Sequence, residues 1–269
     1  MEMLIIGESI NGTIPKVGEA ILKKDERFLR ELARTQYECG AQMLDVNAGI
    51  AGVDEVKDLP WLVEVIQKEV PTPLMLDSAN PDALKAAMGV YRHPEPPILN
   101  SISGEEEKWN KLYPLVIEKR CGVVVLLMDD QGIPKTVDER IAIAKRLFER
   151  LTGGGIPPEN IYFDPLVLSV AVERETGLVT LETIRAIRSH FPNSHLICGV
   201  SNVSMGLPGR RLINRIFLVM AIAAGLDTLF IDVRDQALMS SISAGKILLN
   251  QDPYCLEYIN AYREKKILL

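Results

Sequence analysis

Acidic and amide side chains follow short apolar segments at eight places in this 269-residue sequence. The clearest example is Leu196-Ile-Cys-Gly-Val-Ser-Asn-Val-Ser204, in which an apolar stretch leads into the polar tip Ser201-Asn202. Burying an unpaired side-chain amide costs roughly 1–3 kcal/mol. Asn202 is therefore expected either to have a structural hydrogen-bond partner or to face a ligand. The other segments end in similar residues: Glu8 and Asn11, Asp45 and Asn47, Asp77, Asn100, Asp129 and Asp130, Asp164, and Asp232.

The chemistry of these side chains favours hydrogen bonding to a flat heterocycle. The set contains no His or Cys, so a Cys–His or Ser–His nucleophilic system is unsupported, and the usual ligands of a catalytic transition metal are missing. We expect no bound metal, although a magnesium site made of carboxylates alone stays open. Asp accepts two parallel N–H bonds from an amino-pyrimidine edge, and Asn donates and accepts together. A 2-amino-4-oxo-pterin presents that pattern.

The apolar segments that precede these residues are continuous rather than alternating, as parallel strands covered on both faces are. Eight of them recur along the chain, at residues 4–7, 43–46, 74–77, 97–100, 123–128, 161–164, 196–199 and 229–232. If the strands are parallel in one sheet, their carboxyl ends meet on one side, and the polar residues meet there too. In a barrel of this kind that side carries the active site.

Amphipathic segments with helical spacing lie between the strands. Thr136-Val-Asp-Glu139 has the form of a capping box that opens a helix over Thr136–Leu151. A second helix is predicted to start after Pro60, and Asn80-Pro81 supplies the cap and first turn of a third. The sequence therefore predicts an α/β protein: a single (β/α)8 TIM barrel rather than an open sheet, forming one domain over 1–269. A C-terminal helical extension follows, with helices near Gln236–Leu249 and Tyr254–Ile267.

Composition limits the classes of partner. The net charge is −6 and the pI is about 5.3, which argues against a nucleic-acid-binding face. No apolar run reaches the roughly 18 residues of a membrane span, so no membrane partner is expected. The N-terminus enters a predicted strand at once and leaves no basic leader, which predicts a cytoplasmic protein.

The sequence resembles the pterin-binding methyltransferase family. This family includes folate-dependent corrinoid protein methyltransferases and the folate domain of cobalamin-dependent methionine synthase, and dihydropteroate synthase is a distant relative. It is most similar to the stand-alone methyltetrahydrofolate:corrinoid protein methyltransferases of anaerobes. The resemblance runs essentially end to end and rests on the segments Ile5–Asn11, Leu44–Asn47, Leu76–Ser78, Asn100–Ser101, Gly132–Lys135, Asp164–Leu166, Gly199–Ser204, Leu212–Arg215 and Leu248–Gln251.

The resemblance implies roles for individual residues. Asp77, Asn100 and Asp164 would hold the pterin ring, and Asn202 would reach its N5 atom as the catalytic residue. Gly199 would let the backbone approach the ring, with Ser201 beside it. Secondary or tail contacts are implied for Glu8, Asn11, Asp45, Asn47, Met128 and Arg210. Substrates would be tetrahydrofolate or 5-methyltetrahydrofolate and a corrinoid carried by a partner protein, since no Asp-x-His-x-x-Gly element occurs in this chain. A homodimer is implied as well.

Two positions depart from the family's pattern, and the alternatives to the implied activity stay open. Ser9 stands where the strand-1 motif usually has Arg, and Met128-Asp-Asp130 stands where an Asn often follows the Met, which predicts a more acidic rim at strand 5. Dihydropteroate synthase would need basic residues at the strand-7 tip, and Val200-Ser-Asn-Val203 has none. A pterin-binding protein without catalysis is the other alternative. The direction of methyl transfer, in the acetyl-CoA pathway or in an O-demethylase system, stays open.

Overall fold

Eight parallel strands close into a barrel in the computed structural model, which describes residues 3–268. Each strand pairs with its neighbours in sequence, and β1 pairs with β8 to complete the ring. The strands are β1 Leu4–Asn11, β2 Met43–Asn47, β3 Leu74–Asp77, β4 Ile98–Gly104, β5 Gly122–Asp129, β6 Ile161–Asp164, β7 His195–Gly199 and β8 Thr228–Ile231. The predicted TIM barrel is confirmed.

Helices cover the outside of the barrel and form the C-terminal extension. They are α1 Pro15–Lys23, α2 Glu26–Glu38, α3 Glu55–Gln67, α4 Pro81–Val90, α5 Glu106–Lys119, α6 Val137–Gly153, α7 Thr176–His190, α8 Arg210–Ala224, α9 Gln236–Leu248 and α10 Leu256–Arg263. Short 3-10 turns lie at Pro158–Asn160, Val200–Ser204 and Pro253–Cys255. No helix within residues 3–268 is long and apolar enough to cross a membrane.

Successive strand residues point to opposite sides of the sheet, and the barrel therefore has two separate apolar layers. Outward-facing strand residues such as Leu44, Leu76 and Phe163 pack against the helices in the main core. Inward-facing residues form a second apolar cluster that fills the barrel: Ile6, Met43, Met75, Ile98, Val124 and Ile197. This inner cluster is the floor on which the site is built.

Two of the three predicted helix starts are confirmed, and both carry the predicted cap. The Thr136 side chain accepts from the Glu139 backbone N–H, and the Glu139 carboxylate accepts from the Thr136 N–H, which completes the capping box. The Asn80 side chain accepts from the Asp82 N–H ahead of α4, with Pro81 in the first turn.

The predicted helix start after Pro60 is wrong. Helix α3 begins at Glu55 and carries Pro60 inside it. Two features extend it towards its N-terminus: Leu59 continues the buried face, and the acidic Glu55 and Asp58 favour the positive end of the helix dipole.

The C-terminal extension is also more broken than expected. Tyr254 and Cys255 have φ values of 59° and 57°, in the left-handed region, so the last helix begins only at Leu256. It ends at Arg263, short of the predicted Ile267.

Candidate active site

Polar side chains form the interior layer directly above the apolar floor of the barrel. Residues two apart in a strand face the same side, so the position after each floor residue points inward as well. Glu8 follows Ile6 in this way, and Asp45 follows Met43. The same spacing applies at the carboxyl ends of the other strands. It turns these residues inward: Asp77, Asn100, Met128, Asp164, Gly199 and Asp232. We call these residues, with Asn47, the polar ring.

Strand register holds the β2–β4 part of the ring together. Asn47 pairs with Asp77 and Asp77 pairs with Asn100 across neighbouring strands. The Asn47 Nδ2 donates to Asp77 Oδ2 at 2.8 Å, and its Oδ1 accepts from the Gly49 N–H at 2.7 Å. Asn47 is therefore fixed at both ends of its amide, and it orients the Asp77 carboxylate.

Asp164 is oriented by its own loop and by a buried arginine. Its Oδ1 accepts from the Leu166 N–H at 2.7 Å, in a loop where Leu166 has φ +62°. Arg140 on α6 is 1% exposed, and its Nη1 donates to Pro165 O at 2.6 Å and to Leu166 O at 3.3 Å. The Arg140 Nε donates to Pro134 O at 3.1 Å. One guanidinium thus ties the loops after β5 and β6 together below Asp164.

Asn202 differs from the expectation of an amide buried at the strand end. It lies in the 3-10 turn Val200–Ser204 after β7, and it is exposed. Among the described residues no hydrogen bond uses its side chain, so no structural partner accounts for it. A Cβ at Gly199 would come within 3.1 Å of the Asn202 Nδ2, so the glycine leaves room for this amide over the end of the strand.

Arg210 supports this turn from the start of α8. Its Nη2 donates to Ser201 O at 2.8 Å and its Nε donates to Ser204 Oγ at 3.1 Å. The Ser204 hydroxyl in turn donates to Asn214 Oδ1 at 2.6 Å. The guanidinium of Arg210 thus holds the turn that carries Asn202, and its implied contact with the folate tail stays a prediction.

Burial raises the pKa values of several carboxyl groups in the ring. Asp45 is fully buried, and within residues 3–268 neither of its carboxylate oxygens has a hydrogen-bond partner. Its burial, with the charges of Asp77 and Glu8 added, raises its pKa well above the ordinary value, which favours the protonated form.

Three other members of the ring titrate nearer neutrality. Burial and the charge of Asp232 raise the pKa of Glu8 to about 7. Burial raises the pKa of Asp77 to about 6 and that of Asp164 to about 6. The site therefore combines protonated and ionised carboxyl groups at neutral pH.

A guanidinium still stands near β1 although Ser9 replaces the usual arginine. The Ser9 Oγ donates to Asp232 Oδ1 at 3.2 Å, and Arg234 binds both oxygens of Asp232, with Nε at 2.8 Å and Nη2 at 3.0 Å. Burial opposes ionisation of Asp232, but the bonds and charge of Arg234 leave its pKa below the ordinary value.

Some predicted rim residues lie outside the ring. Asn11 Oδ1 accepts from the Thr13 N–H at 3.0 Å and from its hydroxyl at 2.7 Å, so it stabilises a local turn. Asp129 pairs with Arg146 on α6 at 2.6 Å, and Asp130 is exposed. The expected more acidic rim at strand 5 is thus offset by Arg146, and only Met128 faces inward there.

Four buried or rim arginines were not predicted to matter: Arg140, Arg211, Arg215 and Arg234. Arg140 shares the spacing of the buried α6 residues Ala144, Leu147 and Leu151, which is a signal that the sequence contains. Arg211 and Arg215 approach the strand-7 turn only because α8 folds against it. Within the described chain, no group of three His, Cys, Asp or Glu side chains could hold a metal ion.

Comparison with known proteins agrees with this arrangement. A family model described as "Pterin binding enzyme" matches residues 8–232. The chain is 37% identical over 267 residues to the methylcorrinoid:tetrahydrofolate methyltransferase of Eubacterium limosum, which covers 98% of both proteins. It is 31% identical to the methionine synthase of Mycobacterium tuberculosis over 239 residues, which is 84% of this chain and 20% of that protein.

Solved structures show the same fold at low sequence identity. Dihydropteroate synthase of Yersinia pestis superposes with a TM-score of 0.69 at 14% identity, over 93% of both chains. The dihydropteroate synthase of Thermus thermophilus in complex with 6HMPPP gives a TM-score of 0.66 at 19% identity, over 88% of this chain and 92% of that one. The family match and the two curated relatives confirm the predicted resemblance. The chain belongs to the family of pterin-binding enzymes.

Proposed function

We propose that this chain is a methyltransferase that moves a methyl group between N5 of tetrahydrofolate and the cobalt of a corrinoid. The observation that carries the proposal is the exposed, unbonded amide of Asn202, which stands beside the hydrogen-bonding ring that contains Asp77, Asn100 and Asp164. The identity of 37% with a methylcorrinoid:tetrahydrofolate methyltransferase over 98% of both chains supports it.

The ring residues bind and orient the pterin in this proposal. Asp77 and Asp164 are carboxylates whose orientation is fixed by Asn47 and by the Leu166 N–H. Carboxylates accept N–H bonds from the aminopyrimidine edge, and Asn100 donates and accepts beside them. Gly199 and Ser201 border the ring on the β7 side. Such a fixed set of partners holds the pterin in one plane and leaves N5 at the Asn202 side.

Asn202 acts at the reacting atom. In methyl transfer from methyltetrahydrofolate, the electron pair of cobalt(I) forms the Co–CH3 bond as the N5–CH3 bond breaks. N5 takes the electron pair of the broken bond and gains a proton, so it leaves as a neutral N5–H amine. The Asn202 amide rotates to donate to neutral N5 or to accept from N5–H. It therefore stabilises the transition state more than the ground state, by roughly 2–4 kcal/mol. The same site runs in reverse, where N5 attacks the methyl group of methyl–cobalt(III).

The similarity to the methylcorrinoid:tetrahydrofolate methyltransferase also supports a proposal for the partner, the compartment and the direction of transfer. The corrinoid arrives on a separate partner protein, and the chain works in the cytoplasm as a homodimer whose protomer is one domain over 1–269. Methylcorrinoid comes first in the name of the Eubacterium limosum relative, and we favour methyl transfer onto tetrahydrofolate, as an O-demethylase system requires. The acetyl-CoA pathway of an anaerobe would use the opposite direction.

Two alternatives are weaker. A pterin-binding protein without catalysis needs no free amide at N5, so Asn202 favours the enzyme. Dihydropteroate synthases share the fold at 14–20% identity, which is a likeness of fold alone. Basic residues do lie near the strand-7 turn, namely Arg210, Arg211 and Arg215, so the preference for a methyltransferase rests on the higher identity with the Eubacterium limosum relative.

The variant Asn202→Ala tests the role of the amide. We expect the rate of methylcobalamin formation from methyltetrahydrofolate and cob(I)alamin to fall at least about tenfold, with the pterin Kd changed less than about threefold. Asn193→Ala is the matched control, because Asn193 is exposed in the loop before β7, at the opposite end of that strand from Asn202. An unchanged rate in Asn202→Ala would contradict catalysis through N5.

A further inference from the structure

We infer that Arg234, in the loop after β8, is a positioning residue of the candidate site: it fixes the Asp232 carboxylate beside Glu8 and thereby controls whether Glu8 offers a hydrogen-bond donor. Arg234 borders the site together with Glu8 and Asp232. On its other side, with Ser9, it lines a cavity of about 440 Å³ towards α1 and α2. Arg234 therefore stands between the polar ring and the helices that cover β1.

The Asp232 carboxylate is held entirely by Arg234 and Ser9 among the described residues. Its Oδ1 accepts from the Arg234 backbone N–H at 3.1 Å, from Arg234 Nε at 2.8 Å and from the Ser9 hydroxyl at 3.2 Å. Its Oδ2 accepts from Arg234 Nη2 at 3.0 Å. A guanidinium that binds both oxygens fixes the position and the plane of a carboxylate. Asp232 thus acts on the ring through its charge, since its hydrogen bonds are made within the protein.

Glu8 lies among charged groups from two neighbouring strands. Asp232 and Arg234 act on it from the β8 side, and Asp45 interacts with it from β2. Burial and the charge of Asp232 raise the pKa of Glu8 to about 7, whereas the charge of Arg234 and the Asp232 backbone N–H lower it. Loss of the Arg234 charge and loss of the Asp232 charge should therefore shift this pKa in opposite directions.

The protonation of Glu8 changes what the ring presents at β1. A neutral carboxyl group donates one O–H bond, whereas a carboxylate only accepts. Because the pKa of Glu8 is about 7, this change falls near neutral pH. The consequence for a bound pterin rests on the proposed function: neutral Glu8 adds a donor to the acceptors Asp77 and Asp164. Affinity for methyltetrahydrofolate should then fall as the pH rises above about 7.

Carbon-13 NMR titration of the Glu8 carboxyl group in the ligand-free protein tests the inference, and Glu8→Gln identifies the signal by its loss. In Arg234→Gln, we expect the Glu8 midpoint to rise by at least about 0.5 pH unit, and in Asp232→Asn to fall by a similar amount. The double variant Arg234→Gln/Asp232→Asn should lie between the two. Arg146→Gln is the matched control, because it breaks an arginine–aspartate pair, with Asp129, that lies outside the ring.

Two rescue variants separate the charge from the side chain that carries it. Arg234→Lys keeps the charge and should return the Glu8 midpoint towards that of wild type. Ser9→Arg/Arg234→Gln should do the same, because the Ser9 side chain already contacts Asp232 and the cavity beside it has room for a longer one. The high-pH loss of methyltetrahydrofolate affinity should move in the same order as the Glu8 midpoints.

The outcomes separate this inference from the proposed function. An unchanged Glu8 midpoint in folded Arg234→Gln would overturn the inference. Shifts of the same sign in Arg234→Gln and Asp232→Asn would overturn it too, because a general loss of local structure gives that result. Failure of the wild type to bind methyltetrahydrofolate, with opposite shifts of the Glu8 midpoint in the two variants, would contradict the proposed function and support the role of Arg234.

Discussion

The barrel interior holds four carboxyl groups whose pKa values are raised by burial: Glu8, Asp45, Asp77 and Asp164. Glu8, Asp45 and Asp77 interact through their charges, and burial raises the pKa of each. Asp164 lies apart, with a pKa raised by burial and lowered by the Leu166 N–H and by Arg140. We propose that Asp77 and Asp164 accept from the pterin as carboxylates, whereas burial favours the protonated form of Asp45.

The protonated Asp45 predicts an unusual dependence of stability on pH. Its pKa in the folded protein lies above the ordinary value of 3.8, so the folded state binds more protons than the unfolded one. The contribution of Asp45 to the free energy of unfolding is fully present below about pH 4. It is lost as the pH rises through the pKa that Asp45 has in the folded protein. Asp45→Asn keeps the neutral form at all pH values, and its amide can donate to Asp77 or Glu8. We expect a higher Tm than wild type at pH 8, by about 2–4 °C for each kcal/mol gained.

Thermal melts between pH 5 and pH 8 check this prediction. The gap in Tm between Asp45→Asn and wild type should narrow as the pH falls. Asp129→Asn is the control of opposite sign, because its hydrogen bond and ion pair with Arg146 lower the Asp129 pKa, so the loss of that charge should lower Tm at pH 8. A lower Tm for Asp45→Asn at pH 8 would contradict a protonated Asp45.

Helix α6 links the loop after β5 to the loop after β6 through the side chain of Arg140. Arg140 bonds the carbonyl of Pro134 after β5 and those of Pro165 and Leu166 after β6. These contacts hold Leu166 in the left-handed conformation that directs its N–H to Asp164. Of the described groups, Arg140 and the Cys198 thiol interact electrostatically with the Asp164 carboxylate. Arg140 is therefore a positioning residue for the site.

Removal of the Arg140 charge should change the pH dependence of pterin binding. The pKa of Asp164 is about 6, so wild-type affinity for methyltetrahydrofolate should fall as the pH drops through this value. Arg140→Gln keeps an amide donor but removes the charge, which raises the pKa of Asp164. We expect the pH at which affinity is half lost to rise by about one unit. Titrations of methyltetrahydrofolate binding between pH 5 and pH 8 measure this midpoint for the wild type and the variant.

Two further variants make this test specific. Arg140→Lys restores the charge and should return the midpoint towards that of wild type. Arg146→Gln lies on the same helix but pairs with Asp129 outside the ring, so its midpoint should match wild type. If Arg140→Gln folds and its midpoint does not move, the role assigned to Arg140 is wrong.

The sequence predicts strands and the ring better than it predicts the side chains that reach the ring from elsewhere. Apolar segments that end in Asp or Asn mark all eight strands, and the period of two explains why Asp77 and Asp164 face inward. The same period places Asp129 outward, one residue after the inward-facing Met128. Arg211, Arg215 and Arg234 could not be assigned from the sequence, because only the packing of α8 and of the loop after β8 brings them to one cleft.

In the molecule as a whole, the residues that stabilise the barrel and the residues that form the candidate site lie in different layers. The apolar floor and the helices outside it hold the strands, and the polar ring above stays open at the carboxyl ends. An open rim suits a reaction in which one substrate lies in the ring and the other, a corrinoid on a second protein, approaches from above.

The most direct measurement is methyl transfer by the purified wild-type protein with methyltetrahydrofolate and free cob(I)alamin, followed by the absorbance of methylcobalamin. We expect enzyme-dependent formation of methylcobalamin, and the reverse transfer from methylcobalamin to tetrahydrofolate at the same site. Pterin binding with no transfer in either direction, and none with added corrinoid proteins, would contradict the enzyme and leave a binding protein. Absence of pterin binding would contradict the account of the ring as well.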